Sequence, residues 1–178
     1  MAEPTEITIR PRDPSDIPTL ITILTAVHTQ SSYPVDGPST FLQTPTPNAL
    51  LSLVALYNST LAGHAQLLPA SVLNSVVTES LKSTHDAPIT SFATLVSLFV
   101  DPKLQGKGIG RRLVEEAVAW GRKEGRRLVL VVLEKDGAAI RMYEGMGWER
   151  GGVEYFYESI QGVEYRAFLY LAPPPPPV

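Results

Sequence analysis

The sequence predicts an α+β fold built on a mixed, mostly antiparallel sheet with helices packed against it. Residues 92–133 show the pattern of a strand, a helix and a second strand, and such a crossover places the two strands parallel. The segments on either side of this unit have the pattern of antiparallel hairpins. The predicted order is strand, helix, loop, hairpin, a segment without a clear pattern, then strand, helix, strand, helix and two strands.

The first elements follow from short local patterns. Residues 5–10 alternate polar and apolar side chains, which predicts a strand. Turn residues at 13–16 precede residues 17–30, whose apolar side chains fall on one face of a helix. The stretch 31–47 contains four prolines and predicts a loop with one short helix.

A hairpin and an unassigned segment come next. Residues 50–57 and 61–68 are apolar runs separated by Asn58-Ser59-Thr60, which predicts two antiparallel strands joined by a tight turn. Residues 69–90 are rich in Ser and Thr and show no clear period. We expect this segment to be a mobile flap or a set of weak strand extensions.

The C-terminal half alternates strands with helices before it ends in two strands. Residues 111–124 and 136–146 have the apolar spacing of helices, and glycines close the second of them. The predicted strands are 92–100, 127–133, 148–157 and 163–171. The chain ends in a polyproline stretch that we expect to be exposed and disordered.

Composition bounds the domain organisation and excludes several classes of site. The chain has 178 residues, of which 44% are hydrophobic, and we assign residues 1–172 to one domain and 173–178 to the tail. The absence of cysteine excludes a disulfide scaffold, a thiol nucleophile and iron–sulfur clusters. Three well-separated histidines give no metal-ligand spacing, so no metal is expected.

The sequence also gives no sign of a membrane segment. No apolar run is longer than 128–133, which is far short of the roughly 18–20 residues that span a bilayer. The N-terminus lacks the basic and apolar regions of a secretory leader. We therefore expect a soluble cytoplasmic protein.

Positive charge is concentrated in one segment. Residues 103–127 carry eight Lys and Arg against three acidic residues, a balance of +5, whereas the whole chain has a net charge of −3. This concentration suggests a bound anion, although a solvated helix face is the alternative. The short basic segment and the negative net charge argue against nucleic-acid binding.

The same segment contains the most informative motif, Gln105-Gly106-Lys107-Gly108-Ile109-Gly110-Arg111-Arg112. Alternating glycines let the backbone turn tightly and expose N–H groups at the positive end of a following helix, which suits phosphate oxygens. The P-loop pattern fails because glycine follows Lys107, and the dinucleotide pattern fails because position 111 is arginine. Close strand–helix packing is the alternative use of these glycines.

Two motifs together resemble the GCN5-related N-acetyltransferase (GNAT) superfamily. Residues 100–110 are similar to its motif A, Gln/Arg-x-x-Gly-x-Gly/Ala, and Ala139, Tyr143, Gly147 and Trp148 are similar to its motif B. The N-terminal Ile9-Arg10-Pro11, with Asp13 and Asp16, also resembles the family's first strand and helix, so the resemblance covers most of residues 7–150.

The resemblance implies acetyl-CoA as co-substrate, with its pyrophosphate on the amides of residues 105–110. It implies a six- to seven-stranded sheet with helices on both faces, whose central parallel strands splay to admit the pantetheine arm beside strand 92–100. The positions it assigns to cofactor binding are Leu98, Phe99, Val100, Gln105, Gly106, Lys107, Gly108, Ile109, Gly110, Arg111, Asp136, Ala139 and Tyr143.

The resemblance also implies two catalytic groups. The backbone N–H of Leu98 would stabilise the oxyanion, and Tyr143 would protonate the leaving thiolate; a core aromatic is the alternative for Tyr143. Two positions depart from the family pattern. Asp136 replaces an asparagine and cannot donate a hydrogen bond when ionised, and Thr94 replaces the glutamate base of histone-type members.

The general base and the acceptor surface are left open by the sequence. An amine of lysine-like pKa is almost wholly protonated at pH 7, so a proton must be removed. A water chain or one of six side chains could do this: Asp36, Glu154, Glu158, His28, His64 or His85. An acidic, aromatic substrate wall is expected from Tyr33, Asp36, Tyr155, Tyr157 and Glu158, with a solvated strand face as the alternative.

We therefore expect an N-acetyltransferase that transfers the acetyl group of acetyl-CoA to a primary amine of a small molecule within a ternary complex. The alternatives are acetylation of a protein lysine or N-terminus, and a non-catalytic protein that binds acyl-CoA. A homodimer formed through the apolar late strands is also possible.

Overall fold

A computed structural model describes residues 5–40 and 48–177. In these residues the chain forms four α-helices and seven strands, in an order that agrees with the prediction except for one added helix. The helices are α1 (Ile17–Ser31), α2 (Ser75–His85), α3 (Ile109–Lys123) and α4 (Gly137–Gly145). The strands are β1 (Ile7–Pro11), β2 (Leu51–Tyr57), β3 (Thr60–Pro69), β4 (Phe92–Val100), β5 (Arg127–Leu133), β6 (Glu149–Glu158) and β7 (Glu164–Leu171).

The described strands form one mixed sheet with the order β1-β2-β3-β4-β5-β7-β6. The β4–β5 pair is parallel and joins Phe92–Thr94 to Arg127–Val129. The β1–β2, β2–β3, β5–β7 and β6–β7 pairs are antiparallel. The predicted α+β class and mostly antiparallel mixed sheet are confirmed, while the splay of β4 and β5 beyond this ladder stays a prediction.

The chain divides into two compact units whose boundary falls inside β4 and α3. The first comprises the described residues up to Leu67 together with Val96–Ala117. The second comprises Leu68–Leu95 and the described residues from Val118 onward. The assignment of residues 1–172 to a single domain stays a prediction.

The first unit has helices on both faces of its strands. On one face, the buried residues of α1 pack against Val54 of β2 and Phe99 of β4. On the opposite face, a Cβ on Gly63 of β3 would lie 3.2 Å from a side-chain carbon of Leu113 in α3. Burial of each large aliphatic side chain contributes about 1.5–3 kcal/mol, so these two layers stabilise the unit. The α1 residues are Leu20, Ile23, Leu24 and Val27.

The second unit is layered in the same way. Helix α2 buries Val77 and Leu81 in a cluster that also contains residues of β4, β5, β6 and β7. On the other face of β7, the Tyr170 hydroxyl donates a hydrogen bond of 2.6 Å to Glu144 of α4. The expected placement of helices on both faces is therefore confirmed within each unit.

The interpretation of residues 69–90 as a flap or strand extension was wrong, because half of this segment forms α2. The Asn74 side chain caps the helix by accepting a hydrogen bond from the Val77 N–H at 3.0 Å. Val77 and Leu81 lie one turn apart and are both buried, and Asp86 ends the helix with a φ of +46°. The exposed side of the helix is rich in Ser and Thr, and two buried apolar residues are too few to show a helical period in the sequence.

The hairpin and part of the proline-rich loop are as predicted. Asn58 and Ser59 have φ values of +47° and +65°, which is the twist that a two-residue hairpin turn requires. A short 3₁₀ helix, Pro38–Thr40, lies in the loop predicted for residues 31–47. The rest of that loop, residues 41–47, is outside the described residues.

The end of the chain is anchored where the tail begins. The Ala172 N–H donates to the Leu128 carbonyl at 2.9 Å, and Arg127 donates to the Ala172 carbonyl at 2.8 Å. Residues 174–177 are exposed, as predicted. In the part of the chain that the structure describes, no helix has the length and apolar character needed to cross a membrane.

Strand β4 contains a kink at its centre. Ser97 has a φ of +52°, a left-handed conformation that costs a residue other than glycine about 1–3 kcal/mol. The neighbouring strand β3 makes room for the bent backbone with a glycine. A Cβ added to Gly63 would lie only 2.8 Å from the Phe99 carbonyl oxygen.

We predict that Gly63→Ala lowers the free energy of unfolding by about 1–3 kcal/mol, because the new methyl group overlaps the β4 backbone rather than a movable side chain. Urea denaturation measures this change. Gly152→Ala is the matched control, since this strand glycine has no atom within 4 Å of an added Cβ and no left-handed φ. Equal stabilities of the two variants would contradict the close approach of β3 and β4.

Candidate functional site

The glycine loop lies between β4 and α3, in the first unit. Gly106 and Gly108 have φ values of +79° and +82°, and neither has an atom within 4 Å of an added Cβ. Both are therefore required for backbone conformation and not for packing. The open space above them leaves room for a ligand to reach the backbone.

The start of α3 is held firmly beneath this loop. Ile109 and Leu113 are buried, and the Arg112 N–H donates to the Gly108 carbonyl at 3.0 Å. The N–H groups of the first helical turn have no partner inside a helix, so they are available to an anion at this end. The helix dipole adds a partial positive charge at the same place.

Four of the eight basic residues in the charged segment belong to this end of α3. Lys107 lies 5.4 Å from the centre of the Tyr57 ring, and Arg111 pairs with Glu115 at 3.3 Å. The Lys107 and Arg111 side chains are exposed and these contacts are weak. Both side chains can therefore turn toward a phosphate. The other four follow at the C-terminal end of α3 and the start of β5, so the loop accounts for only half of the predicted basic cluster.

Beside the loop, the kink of β4 is tied to a buried histidine. His64 is fully buried, and its Nδ1 lies 2.8 Å from the Ser97 carbonyl oxygen. Its Nε2 lies 3.0 Å from Nη1 of Arg12. A carbonyl oxygen only accepts and a guanidinium only donates, so the ring carries its proton on Nδ1. Sequence reasoning missed Arg12 and Ser97; the only signal was a polar serine within an apolar strand.

This geometry rules out His64 as the general base. Both ring nitrogens are engaged and the ring is closed off from solvent. Burial, with the positive charge of Arg12 as a smaller cause, lowers the pKa of His64 from 6.5 to about 4. The ring is therefore neutral at physiological pH and has no free lone pair for an amine proton.

The other candidates for the base have different surroundings. His28 donates from Nδ1 to the Pro34 carbonyl at 2.9 Å, as a residue that closes the end of α1. His85 is exposed at the end of α2, and Glu154 is paired with Arg166. Asp36 is half-buried in the loop after α1, and Glu158 is exposed at the end of β6.

Tyr143 lies on α4, in the second unit, and its side chain is buried against Trp148 with ring centres 5.4 Å apart. Burial raises the pKa of the Tyr143 hydroxyl, and the negative charge of Asp136 raises it further. The phenol is therefore protonated at all physiological pH values and can donate a hydrogen bond to a leaving sulfur. Packing in the core and a role as an acid are both compatible with this environment.

Two further motif positions precede and begin α4. Asp136 occupies the N-cap position without capping the helix through its side chain, and it pairs with Lys135 at 2.6 Å. Ala139 is half-buried in the first turns of α4. The salt bridge keeps Asp136 occupied, which fits the expectation that it does not replace the amide donor of the family's asparagine.

The remaining predicted positions lie on β4 and β6. Thr94 is fully buried, and among the described residues its hydroxyl has no hydrogen-bond partner. Tyr157 and Glu158 are neighbours in β6, so their side chains point to opposite faces of the sheet. The expectation that both line one substrate wall with Tyr155 is therefore wrong, whereas Tyr33 and Asp36 stay predictions in the loop after α1.

A cavity of about 290 Å³ lies in the second unit, between the start of β4, the end of α3 and the tail. Of the predicted site residues only His85 lines it. No group of three or more acidic or histidine side chains suited to a metal occurs in residues 5–40 and 48–177. The chemistry that the described residues favour is thus anion binding by the glycine loop.

We predict that the free energy of unfolding falls by up to about 3 kcal/mol through His64 as the pH drops from 6.5 to about 4. In this range unfolded His64 binds a proton that folded His64 excludes, so the effect is absent above pH 6.5. Urea denaturation of wild type and His64→Asn between pH 7 and 4 measures the difference. His85→Asn, which changes an exposed ring, should keep the wild-type slope; a parallel decline of wild type and His64→Asn would contradict the burial of a neutral imidazole.

Comparisons with known proteins agree with this geometry. Residues 19–148, well over half of the chain, match the model of the acetyltransferase (GNAT) family. The N-alpha-acetyltransferase RimI of Mycobacterium tuberculosis is 37% identical over 65 residues, which cover 36% of this chain and 40% of that protein. The ribosomal protein bS18 alanine N-acetyltransferase of Salmonella typhimurium is 33% identical over 98 residues, covering 48% of this chain and 65% of that protein. The chain thus spans less than two thirds of the length of these relatives.

Solved structures show the same fold. The ribosomal-protein-S18-alanine N-acetyltransferase of Escherichia coli has a TM-score of 0.66 and 23% identity, and the match covers 94% of both chains. Arabidopsis thaliana NAA60, solved in complex with acetyl-CoA, has a TM-score of 0.67 and 21% identity over 93% of this chain and 97% of its own. With the family match across both motifs, these findings identify the chain as a member of the acetyltransferase (GNAT) family.

Proposed function

We propose that this protein is an acetyl-CoA-dependent N-acetyltransferase that transfers the acetyl group directly to a primary amine. The observation that carries the proposal is the glycine loop, with two left-handed glycines under open space at the N-terminus of α3. Its amides and the adjacent Lys107 and Arg111 suit the pyrophosphate of coenzyme A. Family membership supports the same co-substrate.

Bound acetyl-CoA would supply an activated acetyl thioester. In the proposed reaction the backbone N–H of Leu98 donates to the thioester carbonyl oxygen as negative charge develops there. The Tyr143 hydroxyl, which its raised pKa keeps protonated, donates to the leaving sulfur and passes its proton to it, while the proton that the attacking amine loses restores the phenol. The resemblance to the family's motifs supports both assignments, together with the cofactor positions Phe99, Val100 and Gln105.

The acceptor we propose is an amine of low pKa on a small molecule. A lysine-type amine has a pKa near 10.4 and an α-amine one near 8, so at pH 7 about one α-amine in ten is already neutral against about one lysine in a few thousand. The position of a histone-type glutamate is held by the buried Thr94, and His64 has no free nitrogen. An α-amine needs only Asp36, Glu158 or water to remove its proton.

A protein N-terminus is the second candidate acceptor. Two relatives, the N-alpha-acetyltransferase RimI and the bS18 alanine N-acetyltransferase, are named for the acetylation of α-amines. A free amino compound and a peptide N-terminus both carry an α-amine of low pKa. A cytoplasmic location and a homodimer stay predictions.

We predict that Gly108→Ala weakens binding of coenzyme A by at least tenfold, because a Cβ disfavours the left-handed φ of +82° and moves the loop amides away from the pyrophosphate. Isothermal titration calorimetry measures the affinity. Gly125→Ala is the matched control, since Gly125 has a φ of +67°, equally open surroundings and a place in the turn after α3. Equal affinities in both variants would remove the loop from the proposed site.

We predict acetylation of α-amines in preference to side-chain amines, measured as thiol release from acetyl-CoA. The panel pairs a short peptide with a free N-terminus and no lysine against its N-acetylated counterpart with one lysine, and adds amino-acid amides and polyamines. Turnover of amino-acid amides above the free peptide supports the small-molecule acceptor, and the reverse order supports the protein N-terminus. Preference for the lysine peptide or polyamines would contradict the proposed acceptor.

The variant Tyr143→Phe tests whether Tyr143 acts as the acid in the proposed reaction. It should lower kcat by about 10- to 100-fold with unchanged coenzyme A affinity, the range that one proton-transfer group contributes. Tyr165→Phe, on β7, should leave kcat unchanged. An unaffected kcat in Tyr143→Phe would assign Tyr143 to the core alone.

A further inference from the structure

The first unit contains a chain of hydrogen bonds that ends on the peptide group between Ser97 and Leu98. Arg12 donates to Nε2 of His64 over 3.0 Å, and Nδ1 of His64 donates to the Ser97 carbonyl over 2.8 Å. The His64 ring also stacks on Phe99 with ring centres 5.3 Å apart and planes within 24°. The ring is thus fixed in position, in plane and in tautomer.

The carbonyl that His64 holds and the N–H of Leu98 belong to the same peptide group. A peptide group is planar, and this one is trans, so its C=O and N–H point in opposite directions. Anchoring the Ser97 oxygen to the buried ring therefore turns the Leu98 N–H away from His64. The left-handed φ of Ser97 lies directly before this peptide group.

Arg12 is available for this role because a neighbouring arginine takes the nearby carboxylate. Arg10 binds both oxygens of Asp16 at 2.8 and 2.9 Å, and the Asp13 N–H adds a third bond to that carboxylate. Within residues 5–40 and 48–177, Arg12 forms no salt bridge, and the hydrogen bond of its guanidinium goes to His64. Successive hydrogen bonds polarise one another, so the cation makes Nδ1–H, and in turn the Leu98 N–H, a better donor.

We propose that His64 is a positioning residue for acetyl transfer: it fixes and polarises the Ser97–Leu98 peptide so that the Leu98 N–H is ready for the thioester carbonyl, and Arg12 sets its tautomer. The inference rests on the proposed function, and it gives a role to a buried histidine that takes no other part in the proposed reaction. His64 does not touch the reacting atoms; it acts through the peptide plane.

The test compares two buried polar residues on one strand. His64→Leu removes the donor to Ser97, and Gln66→Leu removes a buried polar side chain two residues along on the same face of β3. His64→Asn restores a donor close to the position of Nδ1. Arg12→Met keeps the aliphatic stem of a half-buried residue and removes the cation, so it tests the relay even where core variants fold poorly.

Each variant is measured for kcat, for KM of acetyl-CoA and for the affinity of coenzyme A, which lacks the acetyl carbonyl. We expect His64→Leu to lower kcat about 10- to 100-fold with coenzyme A affinity within twofold, because the loss of an oriented oxyanion donor acts on the transition state. His64→Asn should recover most of this loss, Arg12→Met should lower kcat by about 3- to 10-fold, and Gln66→Leu should stay near wild type.

The nitrogen-15 chemical shifts of His64 give a readout that does not depend on activity. We expect a protonated Nδ1 and an unprotonated Nε2 in the wild type at pH 7, and loss of that fixed tautomer in Arg12→Met. A protonated Nε2 in the wild type overturns the relay. Equal losses of kcat in His64→Leu and Gln66→Leu, or a matching loss of coenzyme A affinity, also overturn it.

Failure of the proposed function is distinguishable from failure of this inference. A wild-type protein that neither binds coenzyme A nor releases thiol overturns both, whatever the tautomer of His64. A wild type that turns over while His64→Leu keeps full kcat overturns the positioning role alone.

Discussion

The bend at the centre of β4 is the constraint on which the first unit depends. A serine in a left-handed conformation is unfavourable in a strand, and it persists because its surroundings favour it from three sides. His64 holds the carbonyl, Phe99, two residues further on, packs into the α1 core, and Gly63 leaves room for the displaced backbone. Strand β4, which contains the bend, is also the strand that leads into the glycine loop and α3.

Glycine serves two different physical purposes around this bend. Gly63 has an ordinary φ and is needed because the β4 backbone leaves no space for a Cβ. Gly106 and Gly108 have no atom within 4 Å of an added Cβ and are needed because their φ is positive. Buried Ile109 and Leu113 hold the helix behind the loop, so the exposed amides gain a fixed direction from packing that lies beneath them.

Burial gives the histidine and the tyrosine opposite pKa shifts with one physical origin. Removal from water disfavours the charged form, which lowers the pKa of His64 and raises that of Tyr143. Both groups are therefore neutral near pH 7: the imidazole as a fixed hydrogen-bond donor, the phenol as a proton source in the proposed reaction. Neither supplies a base, which is why an acceptor of low pKa fits the described residues.

The sequence alone determined the fold class, ten of the eleven helices and strands in the described residues, the hairpin turn and the glycine loop, because each depends on local periodicity or on residues with special backbone preferences. Helix α2 was not predicted from the sequence because only Val77 and Leu81 form its buried side, and two residues do not define a period. Tyr157 and Glu158 point to opposite faces of the sheet because β6 extends through both residues, and composition does not show where a strand ends. The tautomer of His64, the left-handed Ser97 and the use of Arg12 were settled only by tertiary structure, because each depends on contacts between residues more than 30 positions apart in the chain.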